Sequence, residues 1–95
     1  MKATVLLFAT APDRPEAVTG AYHEISRALA GTPGLLRNAL LQDAGEPGRF
    51  VVLSEWSSLT EFRAWEEGTA HRRITAPLRE YHTGFGIYHV AAEYS

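Results

Sequence analysis

The chain has 95 residues, a formal charge of −2, 45% hydrophobic residues and no cysteine. That length supports one domain with a limited core, and the missing thiols exclude disulfides, thiolate metal sites and a cysteine nucleophile. Eight arginines and Lys2 are scattered among eleven acids without a basic stripe, so nucleic acid is not an expected partner.

Ala3 to Thr10 reads as a strand that is almost continuously apolar through Val5, Leu6, Leu7 and Phe8. That apolar run is too short for a signal peptide, and no stretch is long enough to span a membrane, so a cytoplasmic protein is the expectation. Pro12-Asp13-Arg14-Pro15 ends the strand, and Asp13 with Glu16 forms a helix-start signal. The helix is expected to run to about Ala30, with Val18, Tyr22, Ile25 and Leu29 on one apolar stripe. Gly31-Thr32-Pro33-Gly34 stops it. Leu35 to Gln42 and Arg49 to Trp56 then read as an antiparallel hairpin around the loop 44–48.

Ser58-Leu59-Thr60-Glu61 has the spacing of a capping box and opens a second helix, with Leu59, Phe62 and Trp65 inward and Gly68 as its stop. Ala70 to Tyr81 continues in helical spacing through His71, Ile74, Leu78 and Tyr81, with Pro77 expected to bend or split it. Gly84-Phe85-Gly86 reads as the lead into a last strand, Ile87 to Tyr94. Residues 1–95 thus predict one α+β domain in ferredoxin-like β-α-β-β-α-β order, with a four-stranded antiparallel sheet. Two helices cover one sheet face, yet Val5-Leu6-Leu7-Phe8 and Phe50-Val51-Val52-Leu53 are apolar at both parities. Both faces therefore ask for burial, and a second copy packed sheet to sheet meets that demand.

The string Phe50-Val51-Val52-Leu53-Ser54-Glu55-Trp56-Ser57-Ser58, followed by Phe62-Arg63-Ala64-Trp65 and His71, resembles the antibiotic biosynthesis monooxygenase domain. Thr32-Pro33-Gly34-Leu35-Leu36 resembles the helix-to-strand turn of the same family. The resemblance covers essentially the whole chain and implies a dimeric α+β barrel. It implies activities that include cofactor-independent oxygenation of polycyclic phenols and degradation of haem. The quinone-forming members carry a tryptophan that Trp56 matches. Their asparagine and tyrosine fall at Val52 and Phe62 here. The haem-degrading members carry a tryptophan that Trp65 matches. Their histidine, ten residues later, falls at Thr75, and the first strand has no asparagine.

His71 shares a helix face with Ile74 and Leu78, and imidazole can take a proton from a phenol near neutral pH. It reads either as a pocket base or as a packing histidine bonded to backbone. His89, in parity with Ile87 and Ala91, reads either as a second base or as part of a dimer seam. His82 and His23 read as solvated. Trp56, Trp65 and Phe62 are candidates to stack on a flat ligand, with core packing the alternative. Tyr22, Ser54 and Val52 are further candidates for the substrate pocket. Arg72 and Arg73 read as a solvated pair or as a lure for an anionic substrate. No Gly-rich phosphate loop, Gly-x-Ser-x-Gly elbow or His pair at i, i+4 is present.

The reading that follows is a monooxygenase-like enzyme that oxidises an aromatic, polyketide-type phenol or anthrone to a quinone with dioxygen and no cofactor, His71 or His89 being the base. A non-catalytic dimer that binds a small apolar ligand is the alternative. A haem-binding or haem-degrading protein, with His71 or His89 as axial ligand, is the third.

Overall fold

The computed structural model describes residues 1–95. Its elements are β1 (Ala3–Thr10), α1 (Pro15–Leu29), β2 (Leu35–Gln42), β3 (Arg49–Trp56), α2 (Leu59–Glu66), α3 (His71–Arg79) and β4 (His82–His89). The sheet runs β2-β3-β1-β4 with every neighbouring pair antiparallel, which is the ferredoxin-like α+β arrangement.

The register fixes which side chains share a face, because directly opposed residues point the same way. Ala3, Val5, Leu7 and Ala9 of β1 oppose Trp56, Ser54, Val52 and Phe50 of β3, and this face lies beneath the helices. Ile25, Leu29, Phe50 and Leu78 belong to one buried cluster, whereas Ala3, Val5, Trp56 and Phe62 form a second. The opposite face carries the pairs Leu6–Leu53 and Phe8–Val51, with Leu41 and Tyr88 exposed beside them. No element of the chain covers it.

The ends of the elements depart from the sequence expectation in four places. Asp13 does not cap α1; Arg14 holds the N-cap position without a side-chain hydrogen bond. Pro15 opens the helix, and its missing N–H removes one group that needed a partner. The Ser58 hydroxyl does accept from the Glu61 N–H at 3.2 Å, but the Glu61 carboxylate accepts from the Ser57 hydroxyl rather than closing a reciprocal box. The break at 67–70 between α2 and α3 follows the expected stop at Gly68, but Pro77 does not split α3, which continues through it. β4 begins five residues earlier than expected, and residues 90–95 lie outside any strand. Gly84 and Gly86 belong to that strand, opposite Phe8 and Leu6 of β1, and the Tyr88 ring lies over Gly86 where a Cβ would collide with it. Gly86 makes room for an aromatic ring rather than a turn, whereas Gly84 lies in ordinary contact with Phe8.

Candidate functional site

Where the two buried clusters fail to meet, the sheet and helices enclose a cavity of about 90 Å3. β1 supplies Val5 and Leu7, and β3 supplies Val52, Ser54 and Trp56. α1 adds Tyr22, Ser26 and Ile25 through its i, i+3, i+4 face, while α2 adds Phe62 and Trp65. α3 presents His71 and Thr75, and β4 closes one side with Phe85. Beyond it lies an open cleft of about 390 Å3, which shares Leu7, His71, Thr75, Leu78 and Phe85 with the cavity. His71 thus stands at the boundary between an apolar interior and an outer vestibule.

The inner walls are aromatic. Trp56 and Phe62 meet edge to face at 5.3 Å between centroids, and Trp56 and Trp65 are tilted at 5.7 Å. Trp56 is 1% exposed, so it forms the floor rather than an open stacking surface. The His71 ring meets Trp65 at 4.6 Å and 87°, an edge-to-face contact that fixes the imidazole plane.

Four hydrogen bonds punctuate this interior. Trp56 Nε1–H donates to Ser54 Oγ at 2.9 Å. Tyr22 O–H and Ser26 O–H both donate to Asn38 Oδ1, the latter at 3.0 Å. Thr75 O–H donates to the His71 carbonyl at 2.9 Å. The cleft is more charged, with Arg72, Arg79, His82 and Glu66 around it. Glu66 pairs with Arg63 at 2.9 Å, whereas neither Arg72 nor Arg79 forms an ion pair. Arg79 donates instead to the Arg72 carbonyl at 2.7 Å. Two groups whose protonation the fold biases stand elsewhere. The Arg14 guanidinium, charged in any case, has its pKa raised further, chiefly by its hydrogen bond to the Tyr81 hydroxyl. The Asp43 carboxyl is pushed below its ordinary range by the N–H groups of Gly45 and then Glu46.

Of the residues singled out in the sequence, the cavity gathers His71, Trp56, Trp65, Phe62, Tyr22, Ser54 and Val52. His89 is not among them. It ends β4 opposite Ala3 and is exposed, because the strand stops there and nothing packs over its last residue. His82, expected to be merely solvated, borders the cleft. His23 is exposed, with its ring edge-on to Tyr22 at 5.5 Å. Sequence reasoning passed over Asn38, Ser26, Thr75 and Phe85. Ser26 follows Tyr22 by one helical turn and Asn38 interrupts an otherwise apolar strand, so both left a faint trace. Phe85, hidden between two glycines, left none. No three His, Asp or Glu side chains converge as a metal site would require, and no helix is long and apolar enough to cross a membrane.

Fold and site together define a ferredoxin-like α+β domain with an aromatic-walled cavity between sheet and helices. The chain belongs to the antibiotic biosynthesis monooxygenase family, whose model matches residues 1–77. SnoaB, a cofactor-independent oxygenase from Streptomyces nogalater, superposes with a TM-score of 0.82 at 19% identity, over 99% of this chain and 95% of SnoaB. A haem-degrading protein from Mycobacterium tuberculosis superposes with a TM-score of 0.78 at 19% identity, over the whole of both chains. Likeness at such identity concerns the fold alone. In sequence, the chain is 34% identical over 67 residues to the protein SchA of Streptomyces halstedii, which is 70% of this chain and 18% of SchA. It thus spans under a fifth of that relative's length.

Proposed function

We propose that this protein is a cofactor-independent oxygenase that converts an aromatic phenol or anthrone to a quinone, with His71 as its base. The observation that carries this reading is the placement of one imidazole at the junction of an aromatic-walled cavity and an open cleft. A ring system lying in the cleft with one edge in the cavity brings its acidic O–H or C–H to His71. Proton transfer to Nδ1 or Nε2 leaves an electron-rich anion, which gives electrons to dioxygen and forms a carbon–peroxide bond. The peroxide takes up a proton, its O–O bond breaks, and water leaves with the second hydrogen from the same carbon. One oxygen atom then remains as the new carbonyl and the other has become water. The protein contributes orientation against Trp65 and Phe85, exclusion of water, and the proton acceptor. Dioxygen uptake with anthrone tests the reading: stoichiometric uptake and quinone formation, lost in His71→Ala, support it. Rates equal to heat-killed protein, across several anthrones and phenols, overturn it.

The apolar sheet face supports a homodimer, since a second copy packed on it gives Phe8, Leu41 and Tyr88 the cover that this chain does not supply. The small inner cavity favours a second reading. At about 90 Å3 it lies well below the roughly 300–1,000 Å3 of sites that enclose whole ligands, as suits a domain that binds a small apolar molecule without reaction. Tight binding of a one- or two-ring compound without oxygen uptake selects that alternative.

A further inference from the structure

The Asn38 carboxamide is held in an uncommon way for a residue in an apolar strand. An amide oxygen has two lone pairs, and here both meet hydroxyl donors from successive turns of α1, Tyr22 and Ser26. The acceptor end is therefore satisfied within the protein and the plane of the amide is pinned between helix and sheet. Its other end, the Nδ2–H2 group, makes no hydrogen bond in the structure. Asn38 lines the cavity among Val5, Leu7, Val52 and Trp56. Directly opposite on β3, Ser54 is already engaged by the Trp56 indole. Asn38 is only half-buried and no unpaired side-chain polar atom is sealed from solvent, so this donor is open to water, and a ligand oxygen can take the place of that water.

We infer that Asn38 is the inner oxygen-recognising donor of the cavity, giving its Nδ2–H to a carbonyl or phenolate oxygen on the edge of the bound ring. Tyr22 and Ser26 are positioning residues that act through it. The substrate class narrows accordingly to aromatic compounds whose oxygen leads into the cavity, with the reacting carbon left towards His71. A donor aimed at that oxygen also stabilises the negative charge that deprotonation places on it. This deepens the oxygenase reading and rests on it for the reaction, although recognition itself needs no turnover.

The test uses two probes of one shape class, the aromatic ketone 1-tetralone and its hydrocarbon tetralin. Wild type is expected to bind the ketone about tenfold tighter than tetralin, the effect of one good hydrogen bond, and to shift the ketone's infrared carbonyl stretch to lower frequency. Asn38→Asp keeps an oxygen for Tyr22 and Ser26 but turns the free donor into an acceptor; Asn38→Leu removes the group. Both are expected to abolish the frequency shift and the preference while leaving tetralin affinity within about twofold, a change smaller than one hydrogen bond. Tyr22→Phe is expected to reduce the shift without abolishing it. A wild type that does not distinguish the probes overturns the inference. So does a variant that loses both probes equally, or one that keeps the shift. Dioxygen uptake on the same preparations separates the two ideas: discrimination without uptake sinks the oxygenase alone, and uptake with unchanged discrimination in Asn38→Leu sinks the Asn38 assignment alone.

Discussion

The Trp56 indole nitrogen donates to the hydroxyl of Ser54, two residues back on the same face of β3, at 2.9 Å. A tryptophan buried this deeply needs such a partner, and the strand period of two supplies one from its own backbone. The two side chains that the sequence offered as separate ligand contacts are thus one structural unit. Trp56 is a wall whose only donor is already used.

Removing the hydroxyl leaves that donor buried and unpaired. Ser54→Ala is expected to destabilise the protein by roughly 1–3 kcal/mol, seen as a fall in melting temperature of about 4–8 °C per kcal/mol for a domain of this size. Ser54→Thr, which keeps the oxygen, is expected to recover most of the loss. An unchanged melting temperature in Ser54→Ala shows that water or a ligand reaches the indole nitrogen instead.

His71 carries the opposite expectation, since it borders the cleft and its ring is held by Trp65 at 4.6 Å. Under the oxygenase reading, His71→Gln is expected to lower kcat by about 100-fold or more with a small change in KM. A His89→Gln variant serves as the contrast. His89 lies outside the cavity, so its substitution is expected to leave kcat within about threefold, far short of a lost general base.

Much of this was legible in the sequence for a simple reason. Alternation and helical spacing report which face a side chain takes, and burial follows the face. Trp56, Phe62, Trp65, Tyr22 and His71 fall where their spacing puts them. What escaped depended on pairing between distant strands. The register that sets Asn38 opposite Ser54 has no local signature, and neither has the bulge between Leu35 and Arg37 that shifts β2 against β3. β4 was misplaced because two glycines read as a turn, whereas they face Leu6 and Phe8 across the sheet. Local residue chemistry was a poor guide there because the neighbouring strand decided the outcome.

Asp43 offers a check on the β2–β3 loop. Its Oδ1 accepts from the N–H groups of Gly45 at 2.8 Å and Glu46 at 2.9 Å, which lowers its pKa from the ordinary 3.8. A carboxylate depressed by folding stabilises the native state above its unfolded pKa, and that contribution is lost as pH falls through the folded value. The difference in melting temperature between wild type and Asp43→Ala is therefore expected to be full above pH 3.8 and to shrink below it. Asp43→Asn, which keeps the acceptor and does not titrate, is expected to show no such trend against Asp43→Ala. A wild-type difference that grows on acidification contradicts the assignment.

The uncovered sheet face makes the last prediction. Leu6 and Leu53 pair at its centre, Phe8, Leu41 and Tyr88 are 38%, 47% and 53% exposed around them, and the Arg37–Glu55 ion pair lies at its margin. An apolar centre with a charged margin is the anatomy of a subunit interface. Wild type is accordingly expected to sediment at twice the mass of the 10.5 kDa chain, and Leu53→Asp, which places a charge at the centre of this apolar face, at the mass of one chain. Because Leu53 points away from the cavity, tetralone binding in the variant reports whether each protomer's site is complete by itself. A wild type that remains monomeric at high micromolar concentration rules out self-association as the cover for this face.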